Sequence, residues 1–397
     1  MARGFSLVVA RGFSFVLLRV AAAALAFRAL SAIVGFLVNA VFPLAQREQF
    51  TVFSRTNDFW DAFARWDSGW FYGIARNGYA FTEGGRSNLA FFPAYPMSMR
   101  FVGRLLGGDQ QSDYFIAGIL VSWAAFALAI VVLYRLAELE LGDEAAAARC
   151  AIYATVFPFA FFFGVVYSES LFLLGSVTTF YAMRRSRWLL AGLAGALTTA
   201  TRANGIFMLP ALLVLLWPLR RDRAALLKGL GAVALASAGY VGYSVFVHQM
   251  SGSFFEWRNS IVRWDWTPGS RAPWMPLWAA LAGIVSDPYG YVTGGPQAVC
   301  DFLNAAAAML LLATTPLMIR RFGIPGIAYA TLVWINLAVP LSSGSLEGLG
   351  RYAAVLFPFP LWLASTHSVA SHHRTMAIFG MFYVICFTLW VKLYPLF

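Results

Sequence analysis

Acids are scarce in this chain. Eighteen Asp and Glu stand against 29 Lys and Arg in 397 residues, and charged residues of both signs make up only 12%. Cysteine is scarcer: Cys150, Cys300 and Cys386 lie far apart in apolar stretches, without metal-ligand spacing, and read as small core residues rather than a disulfide framework. No Asn-x-Ser/Thr sequon occurs, which speaks against passage through a glycosylating compartment. Also missing are an Asp-x-Asp pair to hold a metal with a nucleotide sugar, a glycine-rich phosphate loop, and His-Glu-x-x-His. The four histidines, His248, His367, His372 and His373, fall at loop edges, so the sequence gives no support for a catalytic metal site.

What is abundant is apolar. Hydrophobic residues make up 60% of the chain, 36 of them Phe, and the mean hydropathy is +0.68. Many runs approach the length that crosses a bilayer, and the turn-punctuated alternation of a membrane barrel is absent, so the expected class is an all-α polytopic membrane protein. About eleven spans are expected, near 18–42, 114–137, 150–167, 169–183, 188–201, 204–219, 226–248, 297–319, 324–342, 352–367 and 375–395. Arg3, Arg11 and Arg19 ahead of the first run resemble a signal sequence, but the run continues through Phe42 without a convincing cleavage site, which predicts a retained first helix. No repeat or separate soluble domain is evident, so residues 1–397 read as one integral membrane unit.

The net charge of +11 does not call for nucleic acid, because Lys and Arg gather in cytoplasmic loops of membrane proteins. Arg184-Arg185-Ser186-Arg187, Arg220-Arg221-Asp222-Arg223, Arg320-Arg321 and His372-His373-Arg374 fall at every second connection. The remaining connections then face outward. They are a first loop at 43–113, the turns at Tyr167–Glu169 and Thr201–Gly205, a second loop at 249–296, and Glu347–Tyr352. In the first loop, 58–74 sets Asp58, Asp61 and Arg65 against Phe59, Trp60, Phe63 and Trp66, as an amphipathic helix along the interface does. The second loop carries Trp257, Trp264, Trp266, Trp274 and Trp278, an enrichment typical of the membrane–water boundary.

Isolated charges in these outer turns are the candidates for chemistry. Asp67 lies beside Trp66 and near Trp70; apolar aromatic walls destabilise a carboxylate and make it a better base. The role it suits is taking a proton from an acceptor hydroxyl as that oxygen attacks an anomeric carbon; the alternative is an Asp capping a helix. Glu169, between two apolar runs, is either functional or paired with a cation such as Arg202. Arg202 and Arg351 lie on the outer side against the charge bias, where an arginine fork suits a phosphate; the alternative is snorkelling to headgroups. Gly348 and Gly350 would let backbone approach such a group.

Trp66-Asp67, Phe71, Ile74-Ala75, Gly78-Tyr79, Glu83 and Ala90-Phe91-Phe92-Pro93-x-x-Pro96 resemble the first luminal loop of the PIG-V mannosyltransferase family. Tyr167–Phe172, Ala200–Gly205, and Arg351-Tyr352 followed by Phe357-Pro358 resemble that family's later motifs in the same order. The resemblance implies a GT-C glycosyltransferase fold with its active site on the extracytoplasmic face. It also implies a polyprenyl-phosphate-mannose donor, inversion at the anomeric carbon and Asp67 as catalytic base. Trp66, Trp70, Glu83, Glu169, Arg202, Asn204, Glu347, Arg351 and Tyr352 would then serve substrate binding. No cofactor beyond the lipid-linked donor and no divalent metal is implied. The Ala- and Arg-rich composition has a bacterial look, which implies a plasma-membrane location and leaves the acceptor, a glycolipid, a lipoglycan or a protein hydroxyl, open.

Two readings compete with the enzyme. A lipid-linked-sugar flippase would place polar groups at mid-bilayer and show internal repeats, whereas here they cluster toward one face. A non-catalytic lipid-binding subunit would be expected to have lost Asp67. Within the enzyme class, arabinose, glucose or galactose on a polyprenyl phosphate are alternative donors.

Overall fold

The computed structural model describes residues 2–45, 58–263, 270–366 and 368–396, with side chains from residue 15 onward. The side chains of Arg3 and Arg11, and Trp264, Trp266 and His367, lie outside the described residues. Every regular element in them is helical.

The first helix, α1 (Ala2–Val41), leads into a loop built from α2 (Asp58–Asp61), α3 (Ser68–Asn77) and α4 (Ala94–Leu105). The long α5 (Gln111–Leu141) opens on a capping box between Gln110 and Asp113 and stops at Gly142 in the left-handed region, φ 66°. Asp143 accepts from the backbone NH groups of Ala145 and Ala146 and starts α6 (Glu144–Val156). Then follow α7 (Glu169–Arg184), α8 (Trp188–Thr201), α9 (Leu209–Leu216), α10 (Arg223–Ala236) and α11 (Ala238–Ser251). The second long loop holds α12 (Glu256–Arg263), α13 (Met275–Ser286) and α14 (Pro288–Thr293). The chain ends with α15 (Pro296–Phe322), α16 (Ile324–Leu341), α17 (Leu349–Ala354), α18 (Pro358–Thr366) and α19 (Val369–Val391).

Six helical stretches among the described residues are long and apolar enough to cross a bilayer: Phe15–Val41, Gln111–Leu141, Arg223–Ser251, Pro296–Phe322, Ile324–Leu341 and Val369–Val391. The other expected spans are shorter or broken. The run at 150–167 is not one helix, because α6 ends at Val156 before Pro158, whose ring disfavours helical geometry in Phe157. The chain then threads the interior as a 3₁₀ turn, Ala160–Gly164. The 352–367 run is likewise divided into α17 and α18 ahead of Pro358.

The break at Phe157 frees carbonyls far from water, and these need donors. Arg28 of α1, 1% exposed, supplies them: Nη1 donates to Ala160 O at 2.6 Å and Nη2 to Thr155 O at 2.9 Å. Its guanidinium lies over the rings of Phe126 (4.7 Å) and Phe27 (4.9 Å).

The central helix is α7, buried along most of its length between α5 and α8. Small residues permit the close approaches around it: a Cβ on Gly175 would lie 2.4 Å from Thr198 Oγ1 of α8. At the far end of α7, Arg184 pairs with Glu140 of α5 (Nε–Oε1 2.5 Å), which also accepts from the Tyr329 hydroxyl of α16 at 3.0 Å. The near end of α7 is Glu169, and everything below is arranged around it.

Candidate active site

The loop that carries Asp67 is fastened from underneath. Arg65 is fully buried. Its guanidinium donates to both carboxylate oxygens of Asp61, to Asn39 Oδ1 of α1 at 3.1 Å, and through Nε to Val391 O of α19 at 3.1 Å. Lys392 reaches the same Asn39 through its carbonyl at 2.9 Å. The 58–74 stretch is therefore not a single interfacial helix. It breaks between α2 and α3 at a turn where Trp66 adopts φ 52°, a conformation costly for a large side chain and held here by the contacts on either side.

That turn is stitched to the non-helical segment ahead of α7. Val166 N donates to Phe63 O at 3.0 Å, Ser68 Oγ to Val166 O at 3.1 Å, and Asp67 N to the Tyr167 hydroxyl at 3.2 Å. Asp67 and Glu169, 102 positions apart in the chain, thereby meet at one place. Asp67 stands at the N-terminus of α3, but its carboxylate makes no capping bond. Oδ2 instead accepts from Arg351 Nη1 at 2.8 Å.

Four charges from four segments form one cluster. Arg351 of α17 bridges Asp67 and Glu169, its Nε donating to Glu169 Oε1 at 2.8 Å. Arg202, at the end of α8, donates through Nη1 to the same Glu169 oxygen and through Nε to Asn204 Oδ1 at 3.3 Å. Asn204 passes the network on to Asn336 of α16 at 2.9 Å. Aromatic faces back both cations: Arg351 lies 4.7 Å over Tyr167 and 5.5 Å over Phe162, and Arg202 lies 5.2 Å over Tyr352. Two carboxylates and two guanidiniums leave the cluster neutral, which lowers the cost of holding it in a poorly hydrated place.

The cluster is not sealed. The side chain of Glu169 is 0% exposed, but those of Asp67, Arg202 and Arg351 are 15%, 12% and 11% exposed. Among the described residues, Asp67 Oδ1 and the Nη2 groups of both arginines make no hydrogen bond, so acceptor and donor capacity remains at the opening. Glu169 is the buried keystone, and Asp67 with the two arginines forms the reachable edge.

The other expected residues divide. Asn204 and Tyr352 join the network as described. Trp70 stacks on Phe91, centroids 6.0 Å apart, and helps wall the loop. Trp66 flanks Asp67 at the turn. Glu347, in the loop before α17, is exposed at the mouth; partial burial of its carboxyl, with Asp301 and Asp67 nearby, pushes it up to about 6, and Arg351 pulls the other way. Glu83 sits exposed in a separate turn and takes no part in the cluster's contacts. The glycines before Arg351 each meet a local need: Gly348 adopts φ 74°, while Gly350 is buried where a Cβ would lie 2.1 Å from the Phe159 ring. Gly350 thus admits an aromatic ring, and its NH donates to Asn304 Oδ1 at 2.7 Å.

Tyr167, Phe162, Asn304 and Asn336 belong to the site's frame but were not among the expected site residues. Asn336 had a signal in the sequence: it is an isolated amide inside an apolar span, a placement that calls for a partner, whereas Asn304 follows Gln297 and Asp301 in its own span. Among the described residues, no group of three or more His, Cys, Asp or Glu side chains gathers as metal ligands.

A family model described as Mannosyltransferase (PIG-V) matches residues 14–217, just over half of the chain and inclusive of Asp67, Glu169 and Arg202; Arg351 lies beyond it. The chain is similar to GPI alpha-1,6-mannosyltransferase 2 of Cricetulus griseus, 31% identical over 148 residues, covering 36% of this chain and 29% of that protein. It is also similar to GPI mannosyltransferase 2 of Drosophila melanogaster, 26% identical over 153 residues, covering 36% and 33%. The matched region thus spans about a third of the length of these relatives. Among solved structures, ArnT from Cupriavidus metallidurans bound to undecaprenyl phosphate superposes with a TM-score of 0.53 at 15% identity, over 89% of this chain and 62% of that one. The apo oligosaccharyltransferase of Archaeoglobus fulgidus gives 0.50 at 13% identity, over 94% and 56%. At these identities the likeness is one of fold: the GT-C membrane architecture.

Proposed function

The chain belongs to the PIG-V mannosyltransferase family, and from that premise we propose that it transfers mannose from a polyprenyl-phosphate-mannose donor to an acceptor hydroxyl, with Asp67 as general base. The observation that carries this reading is the convergence of Asp67, Glu169, Arg202 and Arg351 from four segments into one partly open cluster. Asp67 Oδ1 takes the proton of the acceptor hydroxyl. The acceptor oxygen bonds to the anomeric carbon, the bond from that carbon to the phosphate oxygen breaks, and its electron pair leaves with the polyprenyl phosphate. Arg351 and Arg202 offer Nη2 groups to the phosphate, whose negative charge grows as the bond breaks, so their hold is strongest in the transition state. Glu169 fixes both guanidiniums while remaining buried. Attack from the face opposite the leaving phosphate inverts the anomeric carbon.

The site lies at the end of α7 away from Arg184, and thus away from the basic loops. On the charge-bias rule that end is extracytoplasmic. In proteoliposomes, polyprenyl-phosphate-[14C]mannose with a panel of glycolipid, lipoglycan and Ser/Thr-peptide acceptors should yield labelled product with equimolar polyprenyl phosphate. Movement of label across the bilayer with no glycosidic bond formed would overturn the reading in favour of transport.

Glu347 gives the reaction a pH signature. Below about 6 its carboxyl is neutral; above, it adds a negative charge near Arg351. The donor phosphodiester keeps one charge across this range, so only the protein changes. The KM for donor should rise about two- to fivefold as pH passes upward through 6, a size set by one partly screened charge at the mouth. Glu347→Gln should flatten that rise, read from donor titrations at several pH values. A slope unchanged in Glu347→Gln would remove Glu347 from the donor's surroundings.

A further inference from the structure

The Asp67–Arg351 contact is too short for a reacting complex. In an inverting displacement the attacking and leaving oxygens lie on opposite faces of the anomeric carbon, and the groups serving them stand apart; paired carboxyls of inverting glycosidases are about 6.5–9.5 Å apart. Asp67 Oδ2 and Arg351 Nη1 are 2.8 Å apart. No sugar fits between groups in hydrogen-bond contact. We propose that this ion pair is a latch: it holds Asp67 Oδ2 and Arg351 together and the resting site neutral, and the donor phosphate opens it by drawing Arg351 away from Asp67. The proposal rests on the roles assigned above to Asp67 and Arg351.

The surroundings permit such a movement. Arg351 is held at two points, by Asp67 through Nη1 and by Glu169 through Nε. Releasing the first leaves the second, so the guanidinium can pivot about a fixed Nε with its ring contacts on Tyr167 and Phe162 beneath it. Asp67 is held independently through its backbone NH on Tyr167. The backbone that carries its carboxylate therefore keeps its place when the cation leaves. The phosphate replaces Asp67 as the anion on Arg351, and Asp67 is released from its ion pair through Oδ2 when a donor is present. The donor binds first, and the separation of Arg351 from Asp67 that it brings makes room for the sugar between them. Asp67 is faced by Arg351 of α17, by the Tyr167 hydroxyl ahead of α7, and by Glu347 from the mouth.

The test measures binding, separately from catalysis. Undecaprenyl phosphate is titrated into protein in nanodiscs, with undecaprenol as the uncharged control. Removing the latch should help the phosphate: Asp67→Asn is expected to bind undecaprenyl phosphate about tenfold more tightly than wild type, within the usual range of coupling between sites, and undecaprenol no better. The gain should disappear in an Arg351→Gln background, where there is no latch to open. A gain that persists there would mean simple relief of charge repulsion, and would overturn the latch, as would equal or weaker binding by Asp67→Asn. Either result leaves the transfer assay to decide the proposed function on its own. Failure of every variant to bind the phosphate would remove the donor reading and the latch with it.

Discussion

Replacing Asp67 with Asn should abolish most transfer while leaving the protein folded. Loss of a positioned general base costs about 10²- to 10⁴-fold in rate. Asn keeps the size of the side chain and can still accept from Arg351 Nη1, and Arg351 retains Glu169 through Nε, so the cluster has no reason to collapse. The drop should appear in initial rates of [14C]mannose transfer at saturating donor, with donor KM unchanged or lowered because the resting pair is weakened. Thermal unfolding in detergent should stay close to wild type. Wild-type turnover in this variant would sink the assignment of Asp67.

The second large effect falls on stability. Arg65→Leu strips the buried Asp61 carboxylate of its guanidinium and removes the ties to Asn39 and Val391 O. Breaking a buried pair by deleting one partner typically costs about 3–5 kcal/mol, because an uncompensated charge is left behind. Size-exclusion fluorescence after heating should show a clearly lower midpoint for Arg65→Leu. Activity should fall with it, since Arg65 lies two residues before Asp67 and fixes the turn that aims it. Adding Asp61→Asn should recover part of the midpoint by removing the stranded charge. A melting curve indistinguishable from wild type would show that the loop is anchored elsewhere.

Much of this site is legible in the sequence because charge is rare there. Asp67, Glu169, Arg202 and Arg351 stand out against an apolar background, and the spacing of basic clusters sends their turns to one side; the fold brings all four into contact. Glu83 differs: in a loop polar enough to be solvated, an acid carries little information about its partners, and it sits apart from the cluster. Hydrophobic periodicity also hides the breaks. The run 150–167 reads as a span because every residue is apolar enough, yet Pro158 ends its helix and Arg28, 130 positions earlier, satisfies the freed carbonyls. Nothing local to either segment announces that partnership. The same holds for Gly350, whose lack of a side chain is explained only by the ring of Phe159.

The length of α7 has a consequence for which substrates can reach the cluster at all. Its 16 residues rise about 24 Å, against a hydrocarbon thickness of about 30 Å. With Arg184 level with one membrane surface, Glu169 stops several ångströms short of the other. On the proposed membrane placement the cluster would lie below the headgroups, at a depth where a free sugar nucleotide would have to shed its water. A phosphate arriving on a polyprenyl chain is already tethered at that level. Under the proposed function, depth itself would act as a filter, admitting donors by the chain they hang from before any arginine touches them.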